Sequence, residues 1–192
     1  MTTNNALVVT AERGVPFVDT VRVVNAPVAD VYRAHIDPAL VAQWMGPRGL
    51  TTEILDRDAR IGGTWAFTQA GPDGADGAVH GVRGVFHDPV PDRSIVQTFE
   101  YDGVPGHVSL DRIVLEDLGG RTRITGHSVF QSQEDRDGMV ASGMDAGVRE
   151  GTSAWRNSSA RVPNLRRLPA FPPNTRHPQR VPRARGPVPS AD

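Results

Sequence analysis

Residues 26–49 read APVADVYRAHIDPALVAQWMGPRG, and this stretch decides the fold. Pro27 suits the first turn of a helix, and Val31 and Tyr32 belong to an apolar set that recurs at helical spacing. Asp37 followed by proline opens a second short helix, which a glycine-proline pair then ends. The stretch therefore predicts two short consecutive helices.

The flanking sequence predicts strands on both sides and one further helix. Residues 17–25 (FVDTVRVVN) alternate and are rich in valine, as in a first strand. From Leu50 to Phe130 the pattern is that of about six strands separated by turn signals, an antiparallel meander. Ser132 and Asp135 then have capping-box spacing, so a longer helix is predicted from about Gln133. The order of elements predicts an α+β protein.

Several local motifs resemble one family. Besides residues 26–49, they are GGTWAF at 62–67, GPDG at 71–74 and SQEDRDGMVASGMDAGVREG at 132–151. Together they are similar to the START-like SRPBCC superfamily, specifically the bacterial branch named for homology to the activator of the heat-shock-protein-90 ATPase. The resemblance covers residues 15–151, with residues 1–14 as an N-terminal extension. It implies a helix-grip (birch-pollen-allergen-like) fold, in which a curved antiparallel sheet of about seven strands and a C-terminal helix enclose a cavity for an apolar ligand.

Composition excludes several classes of site. The chain has no cysteine, so disulfides, thiolate metal sites and a cysteine nucleophile are excluded. No stretch approaches the roughly 20 apolar residues of a membrane span, and the first residues lack the pattern of a signal peptide. We therefore expect a cytoplasmic protein that does not enter a membrane.

Aromatic residues are the main candidates for a ligand site. Trp65 and Phe67 share one face of a predicted strand, and Phe99 and Tyr101 share a face of another. Such residues either line a pocket or pack in the core, and the sequence leaves both interpretations open. Tyr101 carries a hydroxyl that would orient a ligand. The predicted ligand-binding residues are Trp44, Trp65, Phe67, Phe99, Tyr101, Met144 and Val148.

The histidines do not predict a metal site. None of the six forms a helical pair at ligand spacing, and there is no cysteine partner. His107 and His127, on adjacent predicted strands, would act as acid or base only if they faced the cavity. Otherwise they are solvated or hydrogen-bonded within the sheet. We predict no catalytic residue, no metal and no cofactor.

The leading functional hypothesis is non-catalytic binding of a small hydrophobic molecule between the sheet and the C-terminal helix. One alternative is an enzyme that acts on a hydrophobic substrate, such as a polyketide cyclase, because related START-like domains include these. Another is a chaperone-associated protein-interaction domain, which the family name implies. We expect no membrane or nucleic-acid partner and leave a homodimer open.

The last 42 residues differ sharply from what precedes them. They hold 8 of the 16 prolines and 8 of the 21 arginines against one acid, Asp192, whereas residues 1–150 hold 21 acids and 13 arginines. Prolines at this density exclude a helix. The segment 152–192 is thus a Pro/Arg-rich tail, which is either a genuine disordered tail, a nucleic-acid-binding arm or the product of a frameshift. We favour the frameshift, because codons for residues 151–159 read one base earlier can encode YERLEELL, the kind of helix the resemblance implies there.

The frameshift hypothesis predicts the nucleotide sequence of the gene. The alternative frame across residues 151–159 should encode a leucine-rich amphipathic helix that extends the stripe of Met144 and Val148. Sequencing the gene checks this directly. An alternative frame without such a helix would eliminate the hypothesis and leave a genuine tail.

Overall fold

One eight-stranded antiparallel sheet forms the body of the protein. The computed structural model describes residues 6–45, 49–71 and 79–142. The strands run in the order β1-β2-β8-β7-β6-β5-β4-β3. Their bounds are β1 Val8–Thr10, β2 Phe17–Val24, β3 Thr51–Arg57, β4 Thr64–Ala70, β5 Val79–Val85, β6 Ser94–Tyr101, β7 Val108–Asp117 and β8 Thr122–Val129.

The predicted meander is confirmed as β3 to β8, in which each strand pairs with the next. The sequence analysis missed β1, which lies within the segment 1–14 and pairs with β2 through Val8 and Val21. The sheet therefore has eight strands where about seven were predicted. A strand of three residues is too short for alternation to reveal it.

Strands β2 and β8, which are far apart in the sequence, pair along their whole length. Phe17 lies opposite Val129, and Val24 lies opposite Thr122. The strand that precedes the helices is thus inserted beside the last strand of the meander. This pairing brings residues about 100 positions apart into one continuous sheet.

Three helices are described, and two of them begin at the predicted caps. They span α1 Val28–Ile36, α2 Pro38–Trp44 and α3 Gln133–Ala141. The Asp37 side chain accepts a hydrogen bond from the Ala39 amide at 2.9 Å and caps α2. The Ser132 hydroxyl accepts one from the Asp135 amide at 3.0 Å and caps α3. Both caps satisfy amides that a helix start leaves unpaired.

Most of the core lies on one face of the sheet, which we call the inner face. It carries Trp65, Phe67, Ile95 and Leu115, and α1 packs on it. Because side chains alternate along a strand, the opposite, outer face carries the intervening residues, among them Leu110. The buried cluster consists of Val24, Val31, Tyr32, Trp65, Phe67, Phe86, Ile95 and Leu115.

Gly84 makes room for the Trp65 indole on the inner face. A Cβ atom at Gly84 would lie 2.6 Å from Trp65 Cε2 and 1.9 Å from the carbonyl oxygen of Thr98. Next to it, the Val85 amide donates to the Thr98 hydroxyl at 3.0 Å. The backbone is therefore too close to the next strand and to the indole for any larger residue.

Two glycine substitutions should have opposite effects on stability. Gly84→Ala should lower the free energy of unfolding by about 1–3 kcal/mol, because the added methyl displaces the indole or the next strand. Gly138→Ala should raise it by about 0.5–1 kcal/mol, since a Cβ atom there has nothing within 4 Å and alanine favours the helix. Urea unfolding of both variants measures this. Equal effects of the two substitutions would contradict the packing described for Gly84.

Candidate functional site

Trp65 and Phe67 lie in the core rather than at an open surface. Their side chains are 2% and 5% exposed, and their rings stack with centroids 5.8 Å apart. The sequence did not decide whether these residues pack in the core or line a pocket. Their burial leaves them little surface for a ligand, so their contribution is to form the floor of the inner face.

Phe99 and Tyr101 continue this face beyond the core. Phe99 is partly buried, with its ring centroid 6.1 Å from that of Trp65. Tyr101 lies outside the core cluster and is half-buried, and its hydroxyl lies 2.8 Å from Nδ1 of His80. The two predicted aromatic rows therefore meet on one face, and the second row is the more accessible.

Trp44 connects the two short helices. Its indole Nε1 donates to the Ala34 carbonyl oxygen at 2.8 Å, and its ring packs edge-on against His35 at 5.2 Å. Trp44 therefore joins α1 to α2 and does not lie beside Phe99 and Tyr101. The other predicted ligand-binding residues, Met144 and Val148, lie outside the described residues.

His35 of α1 is buried, and Arg57 at the end of β3 is partly buried beside it. His35 donates from Nδ1 to the Val31 carbonyl oxygen at 2.7 Å, and the Arg57 guanidinium donates to the His35 carbonyl oxygen. Burial lowers the pKa of His35 to about 4, with a smaller contribution from the positive charge of Arg57. Burial also lowers the pKa of Arg57 to about 10. Arg57 lies over the Phe86 ring, 5.5 Å from its centroid, which favours a cation.

The two histidines considered as acid or base are each paired with a carboxylate. His127 lies on the outer face of β8, 2.7 Å from Asp19 of the neighbouring strand. His107 precedes β7 and lies 2.6 Å from Asp135 in the first turn of α3. This hydrogen bond is the main cause of the lowered pKa of the Asp135 carboxyl. Both pairs are partly exposed, which favours the interpretation as hydrogen-bonded surface histidines.

Polar side chains on the inner face were missed by the sequence analysis. Ser109 and Asp111 lie on β7 with the same alternation as Leu115, and the Ser109 hydroxyl donates to Asp111 Oδ1 at 3.0 Å. A hydrogen bond from Ser128 on β8 also reaches Asp111. Desolvation nevertheless raises the pKa of the Asp111 carboxyl. The signal was present in VSLDRIVL at 108–115, where residues 109 and 111 share the face of 113 and 115.

A pocket of about 310 Å³ opens on the outer side of β3 to β6. It lies where the Val85 amide bonds the Thr98 side chain instead of a backbone carbonyl. Its polar groups include the exposed Arg83, which forms ion pairs of 3.0 Å with Glu100 and with Asp102. Exposed pairs of this kind contribute little to binding. We therefore place the candidate site on the inner face, where the aromatic and polar rows meet.

Within the part of the chain that the structure describes, no group of three or more histidine or acidic side chains is placed to hold a metal ion. Over the same residues, no helix is long and apolar enough to cross a membrane.

The curved antiparallel sheet with helices on its inner face defines an α+β protein of the helix-grip class. The family model described as activator of Hsp90 ATPase homolog 1-like protein matches residues 25–154. The chain belongs to this family, as the motifs indicated. None of the curated proteins matches it.

Solved bacterial structures share the fold. A protein of Chromobacterium violaceum is 25% identical, with a TM-score of 0.63 over 73% of this chain and 95% of that one. A protein of Rhodobacter sphaeroides is 21% identical, with a TM-score of 0.73 over 81% and 98% of the two chains. One of Arthrobacter aurescens is 23% identical, with a TM-score of 0.70 over 78% and 91%.

The buried His35 should make stability depend on pH. Its pKa is lower in the folded protein than the ordinary 6.5, so the unfolded chain binds more protons as the pH falls. The stability that the neutral His35 contributes is therefore fully present above pH 6.5 and is lost as the pH falls toward 4. Between pH 7 and pH 5 the loss should be about 2 kcal/mol.

Urea unfolding at each pH measures this loss. His35→Phe should flatten the dependence over this range, whereas His87→Gln, at an exposed position, should retain it. A dependence that is unchanged in His35→Phe would contradict the assignment to His35.

Proposed function

We propose that the inner face binds a small, largely apolar molecule beside Phe99 and Tyr101. The observation that carries this proposal is the extent of the face. The core cluster covered by α1 includes Phe99 only at its edge, and the face continues past it to Tyr101 and His80. A face that is partly aromatic and partly polar is typical of small-molecule sites.

The register of the sheet supports a shared site. Phe99 lies directly opposite Ser109 on the neighbouring strand, and Tyr101 lies opposite Val82 on the other side. Side chains of directly opposed residues have Cβ atoms about 4.5–5.5 Å apart. An apolar ring in contact with Phe99 therefore also reaches the polar side chains of β7. The family resemblance implies a cavity between the sheet and the C-terminal helix, which supports a ligand site on this face.

An enzymatic function is the second candidate, and one observation favours it. Catalysis needs polar groups on the face that holds the substrate, and the Tyr101–His80 pair lies on the same face as Asp111. Tyr101→Phe should then abolish turnover of a hydrophobic substrate, an effect much larger than its effect on binding. If turnover persists in this variant, the pair has no chemical role.

The proposal predicts that the protein binds a ligand and that this binding depends on Phe99. Native mass spectrometry of the purified 192-residue protein should show a co-purified small molecule. If it does not, at least one compound from a panel of apolar molecules should bind when added. Phe99→Ala should weaken this binding by about tenfold, since it removes an aromatic contact of roughly 1–2 kcal/mol.

The matched control is Leu110→Ala, which removes an exposed apolar side chain from the outer face. It should leave binding unchanged. Since Phe99 also touches the core, Tyr101→Phe serves as a milder change that keeps the ring. Binding that is insensitive to Phe99 and Tyr101, or that Leu110→Ala weakens equally, would overturn the proposal.

A further inference from the structure

Asp111 is at the centre of a polar row that crosses the inner face. The row runs through Gln97 on β6, Asp111 on β7 and Ser128 on β8, which lie opposite one another in register, and it ends at the apolar Val18 on β2. Ser109, which lies next to the row on β7, is 4% exposed. A carboxyl group is thus placed on the face that otherwise carries the core.

The hydrogen bonds to Asp111 come from hydroxyl groups. The Ser109 hydroxyl donates to Oδ1 at 3.0 Å, and Ser128 supplies a second hydrogen bond. A carboxylate has about four acceptor sites, so two donors leave acceptor capacity. The side chain lies on the inner face, whose apolar end α1 covers.

The arginine on the inner face of β2, Arg22, is in a different row. Arg22 lies opposite Ile124, whereas Asp111 lies opposite Ser128, four residues further along β8. Four strand residues span about 13 Å. Arg112, the chain neighbour of Asp111, is on the outer face. Hydroxyl groups, rather than a positive charge in its own row, partly oppose the desolvation that raises the pKa of Asp111.

We propose that Asp111, supported by Ser109 and Ser128, recognises a hydrogen-bond donor on the ligand and excludes anionic ligands. The proposal rests on the binding function proposed above and specifies the polar end of the ligand. A hydroxyl or an ammonium group donates to the free acceptor sites of the carboxyl. A carboxylate placed there would face like charge without a cation in the row, which costs affinity.

The sheet also sets the distance between the two ends of the ligand. Phe99 and Asp111 are diagonal neighbours across β6 and β7, because Phe99 pairs with Ser109 two residues away. Diagonal neighbours are separated by about 7–8 Å. A donor carried one or two carbons from an aromatic ring therefore reaches Asp111 while the ring contacts Phe99.

A matched series of four naphthalene compounds tests this inference on the full chain. The compounds carry a methyl, a hydroxymethyl, an aminomethyl or a carboxylate group at the same ring position. Affinity is measured by calorimetry, and the chemical shifts of Phe99 locate the site. The hydroxymethyl and aminomethyl compounds should bind about fivefold to tenfold more tightly than the methyl compound, as one net hydrogen bond provides. The carboxylate should bind most weakly.

Variants of Asp111 identify the group responsible. Asp111→Asn keeps the size of the side chain but adds N–H donors, so the aminomethyl compound should lose affinity and the carboxylate should gain it. The methyl compound should be unaffected. Asp88→Asn, in an exposed turn, is the control and should change none of the four affinities. Ser109→Ala should weaken the discrimination and provides a second variant if Asp111→Asn is unstable.

The outcomes separate this inference from the binding proposal. If all four compounds bind at Phe99 with equal affinity, the role of Asp111 is overturned while the binding function stands. Tightest binding of the carboxylate would likewise overturn it. If no compound binds and the protein carries no ligand after purification, both proposals fail.

Discussion

Side-chain alternation on one continuous sheet is the constraint on which the rest of the structure depends. Eight strands share a single sheet, so every inner-face residue of one strand adds to the same surface. That surface is large and mostly apolar, and it is stable in water only when other elements cover it. Helices α1 and α2 cover one end. The pairing of β2 with β8 places them there, because it fixes where the chain leaves the sheet between β2 and β3.

The corner between the helices and β3 is held by partly buried polar contacts. Arg57 donates to a carbonyl oxygen at the end of α1, and Trp44 donates to another from α2. The Thr52 hydroxyl donates to the carbonyl oxygen of Met45 at 2.6 Å, just after α2. Carbonyl groups at helix ends lack partners within the helix, so these side chains supply them. A neutral His35 fits this corner because the group is buried and lies near the positive charge of Arg57.

The inner face changes character along its length, and this change is the basis of the proposed function. At the end covered by α1, the face consists of tightly packed apolar side chains such as Phe86 and Ile95. Toward Tyr101 and Asp111 it carries hydroxyl, imidazole and carboxyl groups. Polar groups on a buried face are costly unless they have hydrogen-bond partners. Their presence beside an aromatic row is consistent with a surface selected for a ligand rather than for packing alone.

The sequence by itself determined the order of elements, the caps of α2 and α3, the meander and the family, because these depend on local periodicity and turn chemistry. It also placed Trp65 with Phe67 and Phe99 with Tyr101 correctly, since residues two apart on a strand share a face. Only the tertiary structure decided that Trp65 and Phe67 are core, that Trp44 joins two helices and that β1 extends the sheet. The pairing of β7 with β8 also places Ser128 opposite Asp111. These features depend on which strands become neighbours, and strand pairing joins residues that are far apart in the chain, so local patterns do not contain it.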